Sequence, residues 1–174
     1  QRIIFNGNGY SEEWKEEAKR RGLSNLTTTA DALPSYISQK NIDLVSKRGI
    51  YTEAEFRARY EIHLEAYRKI LRIEAQTCLD MANRQILPAV SKYTGDLCQR
   101  VLHKERLGVP CNAERAIISK LSTGIDALYN NIEKLQADLK AIPTELAESA
   151  EYFRKVICTD MEALRSTADA LETV

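Results

Sequence analysis

Residues 121–142 read LSTGIDALYNNIEKLQADLKAI, and their apolar positions decide the fold class. Leu121, Ile125, Leu128, Ile132, Leu135, Leu139 and Ile142 follow in steps of 4-3-4-3-4-3. That is a strict heptad seam, the pattern of a helix packed along another helix. Asn112 offers an N-cap upstream and Pro143 marks a reversal downstream, so a first helix is expected over 112–142. The rhythm resumes at Leu146, Ala150, Phe153, Ile157, Met161, Leu164, Ala168 and Leu171, which predicts a second helix over 144–173. Together they form an antiparallel hairpin.

Upstream, Thr52-Glu53-Ala54-Glu55 is a capping box, the clearest helix start in the chain. Only Pro88 and Gly95 interrupt the run from there to Leu107. Apolar or small residues recur at Phe56, Tyr60, Leu64, Tyr67, Leu71, Ala75, Cys78, Ala82, Ile86, Ala89, Tyr93 and Leu97. Those 4-4-3 steps have an eleven-residue period, which keeps a long helix nearly straight. The rhythm passes Pro88 in phase, so a kinked helix is expected over 52–107, not two helices. A second set, Ile62, Ala66, Ile70, Ile73 and Leu79, widens the apolar surface of this helix beyond one seam. A helix apolar over so wide an arc needs more than one partner. The N-terminal helices, with Trp14, Leu26, Leu33 and Ile37, are expected to cover part of it, leaving a remainder for another domain or subunit.

The first 51 residues are less regular. Arg2-Ile3-Ile4-Phe5 is too short to stand as a strand alone, and Asn6-Gly7-Asn8-Gly9 is turn chemistry. Ile3, Ile4 and Phe5 form an apolar patch expected to be mobile or to make substitute contacts. Ser11 starts a helix with Glu12 and Glu13 in its first turn, Glu16–Arg20 and Glu17–Arg21 as i,i+4 pairs, and Gly22 as its stop. One or two short helices follow between Asp31 and Arg48, Pro34 in a first turn and Gly49 as terminator. The expected fold is all-α: an elongated antiparallel bundle of a long kinked helix and a heptad-patterned hairpin, with short N-terminal helices. Its organisation is an irregular segment 1–51 and a long bundle 52–174.

Composition agrees and excludes several functions. The 174 residues carry 25 Lys/Arg and 25 Asp/Glu, so formal charge is zero, without the basic excess of a nucleic-acid or anionic-membrane binder. No apolar run approaches the ~18 residues of a membrane span. Seven glycines and four prolines make turn residues scarce, as in a helical chain. Charge is uneven: 18 Lys/Arg against 14 Asp/Glu in residues 1–111, then 7 against 11 in 112–174. The second part is therefore expected to dock on the first, with charge setting the register. The four cysteines form no Cys-x-x-Cys motif. Cys78, Cys98 and Cys158 read as small hydrophobes on helices, Cys111 as a loop residue with an exposed thiol, and the compartment as a reducing cytoplasm.

Residues that could carry chemistry are few. Asn6–Ser11 before a helix could cradle an anion, but it is no P-loop, and a structural turn is favoured. His63 and His103 lack the Glu-x-x-His spacing of a di-iron bundle, since Tyr60 and Arg100 stand three residues before them. Glu74 and Asp80 lie in a largely uncharged stretch and could be a buried carboxylate pair; salt bridges to Arg72 or Arg84 are the favoured reading. Arg57, Arg59, Arg68, Lys69 and Arg72 are interleaved with Glu61 and Glu65, with no stacking platform for nucleic acid. No catalytic, cofactor-binding or metal-ligating residue is assigned.

Several continuous stretches carry a resemblance. Arg2 to Trp14, Arg21 to Leu26, Asp31 to Pro34, Arg59 to Ile62, Ile73 to Ala75, Asp80 to Ala82 and Ile86 to Tyr93 resemble the C-terminal region of the type III glutamine synthetases. The likeness is dense to about residue 97, thin across 98–150, and returns at Met161–Arg165 and Asp169–Glu172. It implies a large bacterial cytoplasmic ligase that joins ammonia to glutamate with ATP and magnesium or manganese, working as stacked hexameric rings. The metal carboxylates, nucleotide site and substrate arginines of that family belong to an upstream catalytic barrel, and none maps onto positions 1–174. The chain also stops at Val174, short of the aromatic tail usual in the family, so it is expected to be an inactive C-terminal piece of the enzyme. Its expected partners are the barrel of the same chain and neighbouring subunits, without nucleic acid or membrane. The alternative is a free-standing helical scaffold that binds other proteins.

Overall fold

The computed structural model describes residues 4–174, and among them every regular element is helical. The chain divides into two compact units, residues 1–60 and 61–174.

In the first unit, α1 spans Glu12–Arg20, and the Ser11 hydroxyl accepts from Trp14 N, as its N-cap position requires. Gly22 ends it with φ of +68°, a left-handed conformation that glycine adopts without cost. Arg20 pairs with Glu17, one residue nearer than the expected Glu16. Glu17 also takes Arg21, and the two guanidinium bonds hold its carboxyl down to about 2. Phe5 stacks on Trp14 with centroids 4.6 Å apart, and Arg21 Nη1 donates to the Ile4 carbonyl at 2.6 Å. These are the substitute contacts expected of that patch; Arg2 and Ile3 lie outside the described residues.

α2 (Thr29–Tyr36) begins earlier than the sequence suggested, because Thr28 caps it by accepting from Asp31 N. Pro34 consequently sits in the second turn, not the first. α3 spans Gln39–Lys47. Ile42 and Phe56 are buried, and Phe56 is stacked by Tyr36 at 4.2 Å.

α4 (Glu53–Met81) opens on the expected capping box. Glu55 N donates to Thr52 Oγ1 at 3.2 Å, and Thr52 N donates to Glu55 Oε2 at 2.8 Å. Within the second unit, Tyr67, Leu71, Ala75, Cys78 and Ala82 face the core as the stripe requires. The helical path then continues through a π turn, Ala82–Ile86, into α5 (Leu87–Arg106).

Pro88 explains the π turn. Its ring would strike the carbonyl four residues back, and it has no N–H to donate. A wider turn removes the conflict: Leu87 N–H bonds Ala82 O, five residues back. The cost is one residue of phase, which corrects the expectation that the stripe passes Pro88 unchanged. Ala89 and Tyr93 are exposed. Leu87 and Val90 pack on the core in their place, before the row settles on Leu97 and Val101.

α6 (Asn112–Lys140) starts at the expected residue, but Cys111, not Asn112, holds the N-cap position, with no side-chain cap. Cys111 is buried, at 6% exposure, which overturns the expectation of an exposed thiol. At this corner Lys104 pairs with Glu114 and Glu105 with Arg115, so the charge opposition between α5 and α6 runs both ways.

The heptad seam carries the packing. Leu121, Leu128, Ile132 and Leu135 are buried, and α6 packs against both α5 and the returning helix. That return is α7 (Leu146–Tyr152), a second π turn (Phe153–Ile157) and α8 (Cys158–Glu172). α7 begins two residues after the expected start, because Glu145 caps it by accepting from Glu148 N at 2.6 Å. Ala150, Phe153, Ile157, Leu164 and Leu171 are buried as their rhythm predicts. Gly124 in mid-helix gives Leu171 its seat: a Cβ there would stand 2.4 Å from Leu171 Cδ2.

Each buried Leu or Ile of the seam contributes roughly 1.5–3 kcal/mol. Leu128→Asp or Leu135→Asp leaves an unpaired carboxylate in that core, a loss comparable with the roughly 5–15 kcal/mol margin of a whole domain. Circular dichroism melting of either variant is expected to show no cooperative transition near that of the parent.

Candidate functional site

The residues singled out from sequence do not converge. His63 and His103 are exposed on α4 and near the end of α5. Glu74 is exposed, and Asp80 bonds Arg84 at 2.8 Å with both side chains in solvent, the salt bridge favoured above. Asn6–Ser11 is a turn built on Asn8, whose side chain accepts from Tyr10 N and whose carbonyl accepts from Ser11 Oγ. Among the described residues no three His, Cys, Asp or Glu side chains gather as a metal ion would need. These residues do not fit a metal–nucleotide centre, and no metal-dependent step is assigned to them. No described helix is long and apolar enough to cross a membrane.

Two other features stand out. The first is a polar cluster inside the hairpin that the sequence reading missed. Asp160, 5% exposed, is paired through Oδ1 with Lys134 of α6, while its Oδ2 is buried and finds no hydrogen-bond partner. Lys134 also reaches Asp138 Oδ2 at 3.0 Å. Tyr152 donates its hydroxyl to the Asp138 carbonyl at 3.2 Å. The π turn brings these groups together. Tyr152 and Asp160 are eight residues apart, which would set them ~80° apart around an ordinary α-helix. Absorbing one residue in the wide turn returns them to nearly the same face. A sequence signal did exist: Phe153, Ile157, Asp160 and Leu164 are spaced 4-3-4, so Asp160 interrupts an apolar row.

Burial pushes the Asp160 carboxyl above its ordinary range, against the pull of the Lys134 ammonium and helped by Asp138. Asp138 is held low, first by the neighbouring Asp160 carboxyl and then by Lys134. Lys134 is raised by the two carboxylates, Asp160 foremost.

The second feature is the outward row of α4. Ile62, Ile70, Ile73 and Met81 are 63%, 56%, 63% and 46% exposed, on the side away from Leu71 and Ala75. Leu79, grouped with this row on sequence, instead packs on the core.

The signs of the cluster's shifts make a test. Asp160 is raised, so its protonated form favours the fold at low pH, and that contribution is lost as pH rises through its folded pKa. Asp138 is lowered and contributes in the opposite sense, its stabilisation being lost as pH falls below the ordinary carboxylate range. Lys134→Met removes the ammonium paired with the buried Asp160 carboxyl and should cost ~1–3 kcal/mol at pH 7, at the low end because Lys134 is largely solvated. The loss should shrink near pH 3, where Asp160 is neutral, and Asp160→Asn should be neutral or stabilising at pH 7. Thermal melts of both variants at the two pH values check this.

Comparison with known proteins places the chain. Residues 1–105 match the family model described as glutamine synthetase C-terminal domain. The chain is 37% identical over 177 residues to a glutamine synthetase of Butyrivibrio fibrisolvens, an alignment covering 99% of this chain and 25% of that protein. It is 31% identical over 181 residues to a type-3 glutamine synthetase of Dictyostelium discoideum, again covering 99% of this chain and 25% of the relative. A glutamine synthetase of Bacteroides fragilis is 28% identical over 178 residues, covering 98% of this chain and 24% of its own length. The chain thus spans about a quarter of each of these relatives. With the family match running from the N-terminal turn to the end of α5, this helical chain belongs to the glutamine synthetase C-terminal domain family.

Proposed function

We propose that this chain is the C-terminal helical region of a type III glutamine synthetase, and that its own work is structural, in assembly or its regulation. The working parts are an N-terminal segment, residues 1–51, and the bundle 52–174. In the complete enzyme, ATP and magnesium or manganese serve a catalytic barrel elsewhere in the polypeptide, which ligates ammonia to glutamate in the cytoplasm. The partners of this region are that barrel and neighbouring subunits of a homo-oligomer of stacked rings.

One observation carries the assembly reading. Ile62, Ile70 and Ile73 form an apolar row, more than half exposed, along a helix whose other side is already packed on the core. Contiguous exposed apolar surface of this kind marks a protein contact. The type-3 name of the Dictyostelium relative supports the subclass. The scattered carboxylates and histidines support a role without catalysis in this region.

Two experiments test this. Ile62→Asp or Ile73→Asp should leave this chain helical by circular dichroism while reducing the assembled mass of the complete enzyme in light scattering; unchanged assembly contradicts the reading. Calorimetric titration of this chain with ATP, magnesium and glutamate should give no heat of binding, whereas micromolar ATP binding would place chemistry here.

A further inference from the structure

We propose that the outward row of α4 binds the same row of a second copy, the two helices running parallel about a two-fold axis. This rests on the assembly reading above and names its partner.

A heptad frame with Ile70 at a and Ile73 at d places Ala66 at the preceding d and Thr77 at the next a. Of the core-facing residues, Leu71 and Cys78 then fall at b, Leu79 at c, and Ala75 and Ala82 at f, all on the side away from an a/d seam, while Tyr67 at e borders it. The helix therefore carries two opposed packing faces, one used within the chain and one uncovered. An interface between identical copies requires a surface complementary to itself. Charge supplies the complementarity here. Lys69 is at g and Glu74 is at e, five residues on, and both are exposed. In a parallel pair, g of one helix meets that e of the other, so Lys69 faces Glu74 twice by symmetry.

The remaining g–e pairs, Ile62 with Tyr67 and Gln76 with Met81, oppose no like charges. An antiparallel pair would set g against g and e against e, and both ion pairs would be lost. Lys69 already bonds Glu65 at 2.8 Å, and an ammonium with three donors can hold both acids. Asp80, at the last d, is neutralised by Arg84 at 2.8 Å.

From Ile62 to Met81 the row runs ~29 Å. A single helix pair of that length falls below the ~1,200–2,000 Å² of stable complexes, so the chain alone should pair weakly.

Sedimentation equilibrium of the 174-residue chain, from about ten to about five hundred micromolar, tests the pairing. A concentration-dependent dimer is expected, abolished by Ile70→Asp in a chain that circular dichroism reports as folded. Lys69→Glu and Glu74→Lys should each weaken it roughly tenfold. The double variant K69E/E74K should regain the parent affinity, and the two single variants mixed should form a heterodimer. A chain monomeric throughout overturns the proposal, as does a dimer indifferent to residues 69 and 74 or a double variant as weak as the singles. A monomeric chain beside a complete enzyme that still needs Ile73 to assemble overturns the two-fold pairing alone and leaves the assembly reading standing.

Discussion

Everything in the second unit depends on α6 being covered on two sides at once. Leu128, Ile132 and Leu135 are fully buried, and one neighbouring helix cannot enclose so broad a seam. α5 covers one flank and the returning α7–α8 arm the other. Close packing then makes each of these helices a template for the others, because a methylene out of place leaves a void or a clash. Gly124 illustrates the demand. A glycine in mid-helix costs about 1 kcal/mol of propensity, and it is placed where Leu171 leaves no room for a Cβ.

That template must accommodate two departures from regular helix, and both are π turns. The first answers a covalent fact, the missing N–H of Pro88, and shifts the buried row by one residue. The second has no proline beside it. It lies where Tyr152 and Asp160 converge on the end of α6, and its extra residue aligns them. Here an ion pair whose carboxylate alone is buried crosses the hairpin near its turn. Such a pair is poor at adding stability, since desolvation offsets its attraction, but it penalises any slip that separates Lys134 from Asp160.

The family relationship gives this architecture a context. The chain aligns almost end to end with about a quarter of three glutamine synthetases, and the family model covers the part that contains α1 to α5. The stretch 98–150, where the resemblance of sequence words is thin, includes all of α6, the first arm of the hairpin. Apolar identity at seam positions suffices to keep such a hairpin packed, so its remaining residues are free to vary. The outward row of α4 lies within the matched part, on the element that joins the two units.

The sequence by itself determined the helices, the hairpin and the inward rows, because 3.5- and 3.67-residue periods and a capping box are local signals that survive folding unchanged. Ser11, Thr52, Gly22 and the Leu121–Leu135 seam all act where one-dimensional reading placed them. Cys111 does not: it precedes a helix as a loop residue would, but neighbouring elements close over it. The row beyond Pro88 also moved, since a π turn trades phase for relief of a steric clash and leaves no mark on spacing. Asp160 was overlooked because periodicity counts apolar residues, and a buried carboxylate announces itself only through what surrounds it. Only the tertiary structure could decide which face of α4 stays uncovered, because burial belongs to the packed set of helices and not to any one of them.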